Sequence, residues 1–315
     1  MFSQYFLSSR PENLLVQPGI LATVSFTGLC GPGELGDIPT GLKSLVGKPF
    51  EVLTYGDKIA ERGETGGCQW NVIDDLACVA TWIKASECNN IEKSTFEAYS
   101  RLFSWLNDSG FQHPLRMWNF IPHINNGEGD EEEYKKFCSG RHRAFTEHGL
   151  GEQDYPAASA LGHHVSGGVI YTLACRRPSE QIENPMQEPA YRYPRIYGPK
   201  SPSFARASIF NDQQFSHLMI SGTASIRGHE TLGVDDTGHQ LQITEENILS
   251  LQQSVAPEAS DFSPVRAYLR DAKDLEVTEK WLKSNFPTAE TNILHADICR
   301  SNLSVEVETV AKRRI

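Results

Sequence analysis

The chain is expected to be an α/β protein of the α+β kind, and three observations predict it. Strand-like and helix-like stretches alternate through the first half. The second half runs in the order β-β-α-β-α-β-β, the pattern of one sheet with helices packed on one face. At 315 residues the chain exceeds one small core, which predicts two units, 1–150 and 151–315.

The elements support this class in turn. Residues 20–26 read as a strand and 72–80 as a further stretch of regular structure. Residues 97–107 carry Tyr99, Leu102, Phe103, Trp105 and Leu106 at helical spacing and stop at Asn107-Asp108-Ser109-Gly110, so an amphipathic helix is predicted. An apolar strand follows at 115–122, a loop at 125–130, and a helix at 131–147 with Tyr134, Phe137 and Phe145 inward. Between 176 and 202, six prolines interrupt the chain among tyrosines and arginines. A stretch of this length is a linker or a functional loop, and flexible linkers are poor in large aromatics, which favours the loop. Strands are then expected at 204–209 and 217–222, a helix at 243–253, a strand at 265–269 and a helix at 278–286. Strands near 292–297 and 303–310 close the order, and no repeat of solenoid period is visible.

A net charge of −11 argues against nucleic acid or an anionic membrane as the main partner. An anionic substrate therefore needs a local cluster of arginines. The first ten residues lack a basic region followed by an apolar core, and no later run approaches the ~20 apolar residues of a membrane span, so a cytoplasmic protein is expected. The seven cysteines are scattered without a Cys-x-x-Cys and read as small buried residues of a reducing compartment. His163 and His164 are adjacent and point to opposite sides, so no metal is expected.

The last strand departs from an ordinary amphipathic pattern. Alternation puts Glu306 and Glu308 on one face and Val305, Val307 and Thr309 on the other. With the valines inward and the other face wet, both glutamates are simply solvated. If the glutamate face lines a cleft, one carboxyl is desolvated, its pKa rises, and it becomes a general acid near neutral pH. The small residues of Ser221-Gly222-Thr223-Ala224-Ser225 allow backbone to approach a ligand closely, or form a turn.

Several motifs occur together and in order. They are Trp118 to Asn125, Phe137 to Arg141, Tyr155 to Gly162, Tyr197 to Arg206, Ser221 to Glu230, Ala296 to Arg300 and Val305 to Glu308. On these the chain resembles the chorismatase family, also labelled pteridine-dependent deoxygenases, from about residue 115 to the end. The family's carboxy-terminal half is similar to the Rid (YjgF-like) proteins, so a Rid-like sheet with helices on one face is implied there, preceded by a second α/β region.

The resemblance implies cleavage of the enolpyruvyl ether of chorismate to pyruvate and 3-hydroxybenzoate, without cofactor or metal, in secondary metabolism. It implies Glu306 as catalytic acid and Glu308 as a nearby polar or structural residue. Two substrate carboxylates require fixed cations, for which Arg206 is the first choice and Arg141 the second, since guanidinium binds carboxylate through a two-pronged fork. Tyr193 and Tyr197 either bond the substrate or pack the loop. Ala224 and Cys299 occupy the places that admit or exclude water. Hydrolysing members carry alanine with a bulkier second residue, and makers of 3-hydroxybenzoate carry glycine with cysteine, so this chain has one of each. Hydrolysis to a dihydroxycyclohexadiene carboxylate or a mixture of hydroxybenzoates stays open beside 3-hydroxybenzoate. So do a Rid-type enamine or imine deaminase and a non-catalytic metabolite binder. A monomer is expected, with chorismate as its small-molecule partner.

Overall fold

Two seven-stranded sheets, each covered on its outer face by two helices, organise a computed structural model that describes residues 1–259 and 261–315. The inner faces of the sheets meet in a shared core containing Trp118, Phe120, Tyr171, Met219 and Tyr268. A four-stranded amino-terminal sheet (Phe2–Leu7, Ile20–Ser25, Asp37–Pro39, Phe50–Tyr55) adds Phe2, Phe6, Leu21 and Val24 to that core.

The two large sheets repeat one topology. In the first, Glu61–Thr65, Cys68–Ile73 and Leu76–Ile83 form an antiparallel meander, followed by helix α1 (Ile91–Ser109), strand His113–Pro122, helix α2 (Glu133–Glu147) and strand Ala157–His163 parallel to His113–Pro122. Gly168–Cys175 then inserts antiparallel between Leu76–Ile83 and His113–Pro122. In the second, Glu180–Ile182, Ala207–Asn211 and Phe215–Ala224 make the meander. Helix α3 (Thr237–Val255), strand Asp261–Leu269, helix α4 (Leu275–Asn285) and parallel strand Thr291–His295 follow. Val305–Arg314 inserts between Phe215–Ala224 and Asp261–Leu269. The sheets also exchange edges: Asp297–Ile298 pairs in the first and Lys43–Val46 in the second.

Local chemistry explains the helices. Asn90 accepts from the Lys93 amide at the start of α1, and Gly110 takes the left-handed conformation (φ 77°) at its end, so the helix is longer than the apolar spacing alone predicted. Asp236 caps α3 through the His239 amide and likewise extends it. α1 and α2 bury Tyr99, Leu102, Phe103, Phe137 and Phe145 against the first sheet. α3 and α4 bury Leu241, Ile248, Leu251 and Leu282 against Val305 and Val307 of the second.

Three sequence expectations change. Residues 72–80 are parts of two strands turning at Asp74 (φ 53°). Ala157–His163 and Gly168–Cys175 are core strands beyond those expected; the first is built largely of alanine, serine and glycine, which carry weak strand preference, whereas the second carries a strand signal in its Val-Ile-Tyr-Thr run that the expectations omit. Both pair within the first sheet, so we propose dividing the chain after Cys175 in place of the expected 150/151 boundary. Among the described residues no helix is long and apolar enough to cross a membrane.

One buried charge cluster joins all three sheets. Arg266 forms ion pairs with Glu51 of the amino-terminal sheet at 2.8 Å and with Glu308 at 2.7 Å, while Arg116 of the first large sheet reaches Glu308 at 2.5 Å. All four side chains are buried. Breaking such a cluster strands the remaining charges, so Arg266→Met is expected to lose on the order of 3–5 kcal/mol of stability, read by chemical denaturation.

Candidate active site

The terminal strand has no wet face. Its valines pack under α3 and α4, and its glutamates project between the sheets, where Glu306 and Glu308 are each only 4% exposed. Burial on both faces follows from α3 and α4 covering one side and the first large sheet the other; within its own sheet Glu306 lies opposite Ala224 on one neighbouring strand and Tyr268 on the other.

The two carboxyls, one pleat apart, meet opposite environments. Glu308 receives Trp118 Nε1 at 2.8 Å, both arginines, and the Ser159 hydroxyl in a short contact. Burial alone would raise its pKa, but the charges of Arg266 and Arg116 and these hydrogen bonds hold it below the ordinary carboxylate value. Burial pushes Glu306 up to about 8, helped by the Glu308 charge and opposed by Arg116 and Arg206. Glu306 is thus a neutral acid at pH 7, and Glu308 an anion.

Glu306 opens onto a cavity of about 270 Å³. All seven residues named from the sequence line it: Glu306, Arg206, Arg141, Tyr193, Tyr197, Ala224 and Cys299. The proline-interrupted stretch supplies Tyr193, Ile196, Tyr197 and Pro202, so it is a wall of the site. Arg206 donates to the Tyr193 hydroxyl at 2.7 Å and the Glu188 carbonyl at 2.8 Å, leaving its buried Nε without a partner. Arg141 is 1% exposed on α2, with Nε and Nη2 both unpartnered. Buried guanidinium nitrogens in want of acceptors are suited to a carboxylate ligand. Burial lifts the Cys299 thiol to about 12, so it is a neutral, inert wall residue.

Sequence reasoning missed four contributors. Arg300, also lining the cavity, stacks 3.9 Å over Tyr197, donates to the His229 carbonyl at 2.8 Å and keeps a buried Nη2 unpartnered. Its adjacency to Cys299 in a named motif was the available signal. Ser159 and Arg116 act on Glu308 from the first sheet, and no local pattern connects them to residue 308. Gly222 was noted only as a small residue. A Cβ built there would overlap Glu306 Oε1 and stand 2.7 Å from Ser159 Oγ, so glycine makes room for the acid.

A buried carboxyl and incompletely paired arginines around one cavity define a site suited to a small anionic ligand. Comparison with known proteins gives the family. Residues 51–174 match the family described as chorismatase FkbO/Hyg5-like, N-terminal. A 3-hydroxybenzoate synthase of Streptomyces hygroscopicus is 32% identical over 98% of this chain and 96% of its own length. A chorismatase of the same organism is 30% identical over 82% of this chain and 78% of its own. The crystal structure of a chorismatase superposes with TM-score 0.90 at 25% identity, covering 99% of this chain and 98% of that one. The chain belongs to the chorismatase family, and it is an enzyme of that type.

Gly222→Ala is expected to displace the Glu306 carboxyl and lower kcat at least tenfold with the fold retained, read by steady-state kinetics beside circular dichroism.

Proposed function

We propose that this enzyme cleaves chorismate to pyruvate and 3-hydroxybenzoate with Glu306 as general acid. The observation that carries this reading is the neutral Glu306 carboxyl at the wall of an arginine-lined cavity. The relative named 3-hydroxybenzoate synthase, matched along nearly the whole chain, supports the product.

The chemistry follows from the groups present. Chorismate carries two carboxylates and an enolpyruvyl ether. Arg141, Arg206 and Arg300 each hold a buried nitrogen free to receive a carboxylate oxygen, so the substrate is oriented by its two anionic ends. Glu306 then gives its proton to the terminal methylene carbon of the enol ether, producing an oxocarbenium ion. The Glu306 carboxylate left behind stabilises that cation electrostatically. The ring C–O bond then breaks with its electron pair going to the oxygen, which releases pyruvate. The neighbouring ring hydroxyl oxygen bonds to the carbon left electron-deficient, its former C–O bond opens, and loss of a ring proton aromatises the ring and restores the acid, so the products together have the composition of the substrate. Tyr193 holds Arg206 in place, and Ala224 and Cys299 shape the apolar side of the cavity.

The test is pyruvate release from chorismate by the purified protein, with the aromatic product identified by chromatography. Turnover equal to that of Glu306→Gln overturns the reading, and a dihydroxycyclohexadiene carboxylate as main product overturns the product assignment. Arg206→Lys keeps the charge and loses the fork, so KM is expected to rise about tenfold or more. Activity requires the protonated acid. Pyruvate release is therefore expected to persist at neutral pH and fall as pH rises through about 8. Stability follows the same sign: between 4.5 and about 8 the folded protein keeps a proton that the unfolded chain has lost, so folding weakens as pH rises. Glu306→Gln escapes that loss and is expected to melt above the wild type at pH 8.

A further inference from the structure

The donors on the inner side of Glu306, those of Arg116, Arg266, Trp118, Ser159 and Gly222, are committed to other groups, while the unpartnered nitrogens of Arg206, Arg141 and Arg300 lie on the cavity wall. Arg116 places Nη1 on the Met117 carbonyl at 2.7 Å and Nη2 on Ser159 Oγ at 2.6 Å and on Glu308 at 2.5 Å. Arg266 divides its guanidinium between Glu51 and Glu308, and Trp118 Nε1 goes to Glu308. The Gly222 amide, at the foot of the Glu306 carboxyl, donates to Ser159 Oγ at 2.9 Å. Ser159 passes its own proton to Glu308. None of these donors is bonded to Glu306.

Such an arrangement has a chemical consequence. A carboxylic acid beside an arginine and a backbone N–H ordinarily ionises, because both favour the anion. Here Ser159 takes up the amide and one arginine nitrogen, while Glu308 neutralises the guanidinium charge and repels a second anion. The groups facing Glu306 are then Glu308 on its own strand, Arg116 and Ser159 from the first sheet, Gly222 on the neighbouring strand, and Arg206 and Cys299 on the cavity wall.

We propose that Glu308 and Ser159 are positioning residues that act through Glu306, keeping it in the acid form by occupying the donors that would otherwise ionise it. This rests on Glu306 being the general acid. The motif Glu-Val-Glu is then a functional pair, in which the second carboxylate is spent so that the first stays neutral.

The experiment is the pH profile of kcat for chorismate-dependent pyruvate release in the wild type, Glu308→Gln, Glu308→Asp and Ser159→Ala, with melting curves for each. Glu308→Gln leaves the arginine charges uncancelled, so its alkaline limb is expected to move down by at least one pH unit. Its activity at pH 7.5 should fall at least about threefold and return on acidification. Glu308→Asp retains the charge and should keep the limb within half a unit. Ser159→Ala, a small neutral change, frees the Gly222 amide and Arg116 towards Glu306 and should shift the limb the same way as Glu308→Gln. If Glu308→Gln does not fold, Ser159→Ala decides alone. Loss of activity without a limb shift in the folded variants overturns the proposal and assigns both residues a structural role. Full activity in Glu306→Gln instead overturns the general-acid reading itself, so the two failures are distinguishable.

Discussion

The structure depends on a buried run of alternating charge, Glu51–Arg266–Glu308–Arg116, at the meeting point of three sheets. Isolated, any of these ions would be intolerable there, since desolvation of an unpaired charge costs several kcal/mol. Together they bring each sheet to one register, because a residue-long slip of the terminal strand would point its carboxylates at the valine-lined side under α3 and α4. Burial pushes Glu51 up to about 7 even with Arg266 beside it, a sign of how little water reaches the cluster. The environment of Glu306 is an offshoot of this packing: it lies one pleat from the cluster and shares its burial without a hydrogen bond to its arginines.

Duplication of the α+β unit explains where the site lies. Two sheets of the same topology face each other, and their curved inner surfaces leave a cavity where the Ala157–His163 strand approaches Phe215–Ala224. That approach requires small residues, and Ala157, Ala158, Ser159 and Gly222 supply them. Ser221 accepts the Ala158 amide at 2.9 Å and donates to the Ala205 carbonyl at 2.6 Å, pinning the two units together beside the cavity. The units have diverged in the inserted strand. In the first it is Gly-Val-Ile-Tyr-Thr-Leu-Ala-Cys, without an acid, and in the second it carries both glutamates. The first unit contributes Arg141 and Ser159 to the cavity wall, and the second carries both glutamates.

Much of this was legible in the residue order. The four helices, most strands of the second unit and the odd glutamate pair stand out by periodicity, and the ordered motifs carry the family resemblance. The duplication was hidden, because the shared feature is strand order and each unit fills its core with different residues. The strand Ala157–His163 was hidden since its small side chains answer to the facing sheet and carry little local preference, whereas the Val-Ile-Tyr-Thr run of Gly168–Cys175 was legible and went unassigned. Arg116 and Ser159 were missed because they lie 192 and 149 positions from Glu308 and meet it only once both sheets are assembled.

Composition, strand and helix periodicity and the order of motifs decide the fold class, the family and the identity of the acidic strand, because those follow from neighbours close along the chain. Which glutamate is neutral could not be read there. Glu306 and Glu308 have the same chemistry and share Val307 as a neighbour, and only the folded arrangement separates them. It delivers two arginines, a tryptophan and a serine to one carboxylate and leaves the other with a dry cavity and a glycine.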